Sequence, residues 1–481
     1  MYSPLVSALA LAVSFPFLVS ASPIDVSDLP AQNATEFALV RANKYGYPLV
    51  PFSKLALPIL SDSSSNTFQH TKNLPTPDST SVDFPNLNIL SSTAIIDLAA
   101  ANVIVNIPSI PDRFWVFAFY DIYGSNFANV GVVGGYAEGK YRISYRPGKP
   151  GIERGDGDYQ GYVYSPTPYG VLVAQLQVKN APDVDEVNLL QENMELSEVP
   201  IRTQLAPRLT KYLLDGGSSG NPTEELLQLT ARLSFFNLPS VASEIPRVTA
   251  ILQLAGCSQG SYATPWGVDL NRAAKVANSS VLGVPQSPEY FQDLQNGWQG
   301  PQSEWQGKYK TFYLARAWSA HVNYLALDAN QALYPSYSDG NNKLSLEPNQ
   351  AYKLTFESLP PLATSGFWSL TAYGANKGLV ENSLNQYYVG SSTGLTSSDG
   401  KYEIFLQSEQ PAIGASNWLP TPSGGGEVSF ALRIYGPGDG LKDGSWSYPV
   451  VEKVDATTGL SLPSTIAGGQ QVLDHARFLE L

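Results

Sequence analysis

A chain of 481 residues with 43% hydrophobic and only 15% charged side chains is too apolar to be intrinsically disordered and can build several sizeable cores. A formal net charge of −13, with no Lys/Arg run, argues against nucleic acid or an anionic membrane surface as a partner. The one cysteine, Cys257, rules out an internal disulfide, and three histidines (His70, His321, His475) make a dedicated zinc site a poor expectation.

In chain order, residues 1–21 read as a secretory signal peptide, with an apolar run from Leu5 to Val19 and small residues before Ser22. Pro16 interrupts the run and argues against a membrane anchor, so no stable membrane insertion is expected. The sequons at Asn33 and Asn278 fit a secretory route as candidate glycosylation sites. Ala38–Tyr45 has the look of a short helix that Gly46 and Pro48 end, and residues 61–81 read as an exposed loop carrying a solvated His70.

From Asp83 to Pro200 the pattern is β, with strands over 92–98, 102–107, 114–122, 139–145 and 170–178, then a helix over 184–195. Residues 114–123 are apolar on both alternating faces, which predicts a strand covered on both sides. Asn221, Pro222 and Glu224 spell a capped helix over 222–234, and 246–254, 271–282 and 287–296 are further helical candidates. Strands return over 352–356, 366–373, 402–407 and 428–435, with turn signals between them. The expected fold is mainly β: two sandwich or jelly-roll-like halves (36–205 and 311–455) joined by a helical segment (206–310) and followed by a tail (456–481).

Asp121 is the one carboxylate in a row of aromatics, so it must be hydrogen-bonded, paired, or shifted in pKa. It either ties down the turn from Tyr123 to Asn126 or acts as a general acid or base. Asp97 lies on another apolar strand and could approach it across a sheet. Asn86 and Asn88 could orient a substrate oxygen or cap turns after Pro85. Arg433 and Tyr435 fall on the strand face opposite Phe430, Leu432 and Ile434, where an Arg can clamp a carboxylate or pair with a neighbouring acid. Trp418 sits in an aromatic-bearing loop that can stack on a flat ligand or cover the core. Gly256–Gly260 matches the GxSxG pattern, but residues 248–254 before it look helical and residues 261–265 after it make a poor helix start, so it reads as a helix-terminating loop. No phosphate- or dinucleotide-binding motif stands between a strand and a helix, and no cofactor is expected.

These motifs together resemble the paired families DUF1254 and DUF1214. The N-terminal resemblance runs through Tyr45–Val50, Asn66–His70, Pro85–Asn88, Asp97-Leu98, Arg113–Trp115 and Phe119–Asp121. The C-terminal one runs through Arg316-Ala317, Tyr334-Pro335, Pro360-Pro361, Phe367–Thr371, Ser416–Pro420, Arg433–Tyr435 and Asp443–Trp446. The resemblance implies β-sandwich halves joined by helices and does not imply one activity. Against its pattern, Asn88, Ile89 and Ser91 stand where the Pro-Asn-x-Asp-Thr-x-Tyr run has Asp, Thr and Tyr, and Gln175 and Gln386 stand where Arg is expected.

The resulting expectation is a secreted or secretory-pathway, cofactor-independent hydrolase, isomerase or cyclase acting on a small organic metabolite of specialised metabolism. Asp121 and Asp97 would supply acid–base chemistry. Tyr123, Asn126, Asn86, Asn88, Arg433, Tyr435 and Trp418 would line an aromatic pocket. The alternative is a non-catalytic carbohydrate- or metabolite-binding sandwich protein; the oligomeric state is not legible from the sequence.

Overall fold

The computed structural model describes residues 33–79, 83–155, 157–215, 219–340 and 343–462. The expected signal peptide, most of the expected tail and His475 lie outside the described residues. The fold is mainly β, with two sandwiches and a helical layer, as the composition and turn spacing predict.

The first sandwich pairs two five-stranded sheets. One sheet runs Gln69–His70, Ile89–Asp97, Tyr169–Gln177, Trp115–Asp121, Asn126–Gly131, antiparallel throughout. The other runs Glu195–Pro200, Ala101–Ile107, Gly139–Tyr145, Gly161–Ser165, Gly151–Arg154. Between them Trp115, Phe117, Phe119, Leu172 and Val105 form an apolar core. The opposite face of the first sheet, carrying Phe114, Val116, Ala118 and Tyr120, is buried under helices and under the second sandwich. The Trp115–Asp121 strand is therefore covered on both sides, and all seven of its residues are buried.

Alternation stops predicting burial at the sheet edges. The helix expected over 184–195 stops at Asn193, and Glu195–Pro200 pairs as a strand with Ala101–Ile107. The second sandwich is built on the long Leu362–Gly374 and Gly426–Pro437 strands, faced by the sheet Trp418–Pro420, Tyr402–Gln407, Gln350–Phe356, Val450–Asp455.

The helical layer holds Pro222–Ser234, Ile245–Leu254, Leu270–Leu282 and Tyr313–Val322. Asn221 caps the first of these through its side-chain oxygen, as the sequence predicts. Two helices that precede the first sandwich in sequence, Ala34–Gly46 and Leu49–Asp62, pack into this layer. Pro48 does not simply end the first helix; it opens the second, where its missing N–H costs nothing. Residues 287–296, expected to be helical, form a turn and the short Phe291–Asp293 strand against Trp298–Pro301.

Candidate functional site

Asp121 closes the Trp115–Asp121 strand and caps the turn after it. Its Oδ1 accepts the backbone N–H groups of Tyr123 and Ser125, each at 2.9 Å. Gly124 completes the turn at φ +81°, where a Cβ would also stand 2.6 Å from the Tyr324 ring, so both conformation and space demand glycine. Burial pushes the Asp121 carboxyl up, opposed by the nearby Arg316 guanidinium. Arg316 lies 4.3 Å from the Tyr123 ring centroid and 4.7 Å from that of Tyr45, and donates to the Tyr45 carbonyl. Tyr123, expected in the pocket, instead donates to Asn237 O at 2.7 Å and accepts from the Tyr45 hydroxyl.

Asp97 does not meet Asp121. Register sets Asp97 opposite Tyr169 and Asp121 opposite Gly170, and adjacent residues of the strand between them point to opposite faces. The two carboxylates thus stand on opposite faces of the sheet, two strand spacings (~10 Å) apart. Asp97 accepts from the N–H groups of Ala99 and Leu209, and Asn66 brackets its backbone on both sides. Its carboxyl is also raised by burial and binds the chain entering the helical layer.

Asn126 is likewise spent on structure. Its amide donates to Phe119 O and Asn129 Oδ1, and its oxygen accepts from Asn129 and from Asp328 N–H. Asp328 in turn holds Asn129 and, at 2.7 Å, Lys308.

The remaining candidates converge between the sandwiches. The paired strands of the second sandwich turn Phe367, Ser369, Thr371, Arg433 and Tyr435 toward the first. Phe114 packs against Phe367 and Tyr435, whose rings are stacked 4.6 Å apart. Asn86 donates to the Tyr435 hydroxyl at 2.7 Å and accepts from Asn88 N–H. Arg433, fully buried, donates to Phe84 O at 2.7 Å and to Thr371 Oγ1 at 3.3 Å. Phe84 is held at φ +53°, a left-handed conformation rare for a bulky residue, by the second sandwich on both sides of its peptide.

Four polar atoms on these facing surfaces and their borders are buried with no hydrogen-bond partner among the described residues: Tyr120 Oη, Gln175 Oε1, Ser369 Oγ and Asn88 Oδ1. Burial pushes the Tyr120 phenol well up, as does the charge of Asp328, and burial raises Tyr334 and Tyr435 as well. All three phenols are neutral hydrogen-bond donors at physiological pH. Sequence reading missed Tyr120, which lies on the Trp115–Asp121 strand but on the face away from Asp121, and Tyr334 and Ser369, which reach this layer only through tertiary packing. The unpartnered Gln175 stands where the family resemblance expects Arg; Gln386, the other such position, is tied to Ala415 O and Trp418 O.

Trp418 is not part of this layer. It is buried on the Trp418–Pro420 strand of the far sheet, with its indole N–H on Gln407 O. The GxSxG run forms a tight hairpin, Cys257–Ser258 against Ser261–Tyr262, with Gln259 and Gly260 at positive φ. A second strand, not a helix, comes directly after it, so it lacks the strand–turn–helix of a nucleophile elbow. Burial pushes the Cys257 thiol up to about 12, which leaves it inert. Asn33 is exposed at a helix N-cap, whereas Asn278 is half-buried within the Leu270–Leu282 helix.

Two family profiles, each described as a protein of unknown function, match the chain: DUF1254 over residues 65–198, within which most of the first sandwich lies, and DUF1214 over 331–439, within which most of the second lies. The chain belongs to the proteins that pair a DUF1254 domain with a DUF1214 domain. The fold is similar to that of the VPA0106 protein from Vibrio parahaemolyticus, with a TM-score of 0.63 at 18% identity, covering 87% of this chain and 100% of that one. An uncharacterised protein from Burkholderia cenocepacia aligns at a TM-score of 0.42 and 10% identity over 88% of this chain and 94% of its own. No curated protein matches the chain.

Proposed function

We propose that the layer between the sandwiches holds a small, neutral organic molecule by its oxygen atoms. Arg433, Tyr435 and Asn86 form the ordered polar end, and Phe114, Phe367 and Tyr120 supply the aromatic surround. The observation that carries the reading is the group of buried polar atoms without partners on facing surfaces, since such atoms in a native protein call for a ligand or water. Asp328 beside Tyr120 disfavours an anion. The enzymatic reading favoured by this geometry is a cofactor-independent isomerase or cyclase, in which the unengaged Tyr120 phenol donates its proton toward a substrate oxygen. Asp121 and Asp97, engaged with backbone N–H groups, act as structural carboxylates in this reading. Secretion, supported by the apolar N-terminal run and the exposed Asn33, belongs to the same proposal.

Untargeted metabolite profiling of a deletion strain, rescued with wild type, Tyr120→Phe or Asp121→Asn, tests it. An enzyme predicts one compound that accumulates in the deletion and the Tyr120→Phe strain and returns to normal with Asp121→Asn. A binding protein predicts an unchanged profile together with saturable protection of the purified protein against heat by a metabolite fraction. No profile difference and no protection would remove the proposal.

A further inference from the structure

The open edge of the first sandwich carries a cleft of about 350 Å³, which shares none of its residues with the layer between the sandwiches. It lies between the two edge strands on the same side of the sandwich, Gln69–His70 and Glu195–Pro200, and is lined by Phe68, His70, Met194, Leu196, Thr67 and Ser197 among others. His70 sits directly opposite Ser92 in the ladder, so the two side chains share the face that looks into the sandwich core. Its Nδ1 lies 2.7 Å from the fully buried Ser92 Oγ, and its ring stacks on Phe68, which itself packs on Phe117. The ring is thereby fixed in orientation. Its other nitrogen, Nε2, has no hydrogen-bond partner among the described residues. Burial, with Lys72 nearby, holds the imidazole below its usual pKa, so the ring is neutral at physiological pH.

An aliphatic side chain at such an edge would seal the core. A locked imidazole instead offers a polar atom in an open cleft whose apolar wall is Phe68, Met194 and Leu196 and whose other lining residues include Asn66, Thr67, Glu195 and Ser197, within the size range of small-molecule sites. The nearby cation, Lys72, is already paired with Glu192 at 3.2 Å, and Glu195 lines the rim, so nothing there favours a ligand anion. We propose that this cleft binds a flat, uncharged aromatic alcohol, its rings against Phe68, Met194 and Leu196 and its hydroxyl hydrogen-bonded to His70 Nε2.

Titrating the full chain, labelled with ¹³C-histidine, with 2-naphthol and following the imidazole signals by NMR tests this. His70 should shift saturably while His321, remote from the cleft, stays still. Ser197→Trp, an exposed change that blocks the mouth without touching the core, should abolish the shift. Naphthalene, which lacks the hydroxyl, should bind about tenfold more weakly, the equilibrium worth of one hydrogen bond. A non-saturating response, one that Ser197→Trp leaves intact, or equal binding of naphthalene overturns the proposal.

Discussion

Asp121 shows how one buried carboxylate can be read two ways until its partners are known. Each buried donor left without an acceptor costs ~1–3 kcal/mol, so Asp121→Ala should lower unfolding stability by about 2–5 kcal/mol in urea titrations. Asp121→Asn keeps an acceptor oxygen for Tyr123 and Ser125 and should cost about 1 kcal/mol. A loss in Asp121→Asn as large as that in Asp121→Ala would show that charge, not hydrogen bonding, holds the turn. The pH dependence comes from the direction of the shifts. Burial raises the native pKa of both Asp97 and Asp121 above the unfolded value of ~3.9, so the native state binds more protons than the unfolded chain across that interval. Their contribution is fully present below the unfolded pKa and is lost as pH rises through the raised native values. Asp97→Asn and Asp121→Asn should therefore flatten the decline of stability from about pH 4 toward neutrality, measured as urea midpoints at several pH values. A steeper decline in either variant would reverse the assignment.

At the level of elements, the strands that carry the inter-domain layer belong to different halves of the chain, and the loop at Phe84–Asn88 links them. Phe84 N–H donates to Lys377 O, Phe84 O accepts from Arg433, and Pro85 O accepts from Tyr373 at 2.9 Å. Tyr435→Phe removes the acceptor for Asn86 and should cost about 1 kcal/mol while leaving the stacked rings in place. Near-wild-type stability in urea would mean that Asn86 finds another partner. At the Asp97 end of the same sheet, Asp97→Ala frees the Leu209 N–H, and limited proteolysis should then cut faster near residues 205–210. Unchanged cleavage there would show that the Leu205 N–H bond to Ala99 O and Tyr169, which donates to Pro207 O, hold the segment unaided.

Across the whole molecule, the apolar cluster that includes Ala38, Val116, Leu227, Phe367 and Tyr435 joins the helical layer to the facing sheets of both sandwiches, each of which has its own interior core. Calorimetry of the wild-type protein should accordingly show one cooperative transition. Arg433→Ala leaves a void and strips Phe84 O of its donor at the centre of the junction, with a cost of about 3–5 kcal/mol from the cavity and the unpaired buried acceptor together. That variant should resolve two transitions, one for each sandwich. A single transition lowered as a whole would show that the apolar contacts alone couple the halves.

The strand order of neither sandwich can be read from the sequence, yet most strands can, because alternation and turn residues are local signals. The capped helix at Pro222–Ser234, the doubly covered strand around Phe117 and the split of Arg433 and Tyr435 from Phe430, Leu432 and Ile434 were all set by spacing alone. Edge strands such as Glu195–Pro200 were not legible, since their residues are mostly exposed and only pairing makes them strands. The same limit governed the site. Sequence could place Asp97 and Asp121 on strands, but only register put them on opposite faces. Asn86 is legible from its place after Pro85, and Arg433 and Tyr435 from strand alternation; their meeting with Tyr120 and Ser369 depends on how one sandwich lies against the other. That arrangement is fixed by apolar packing across more than 300 residues of chain, a long-range term that no local pattern encodes.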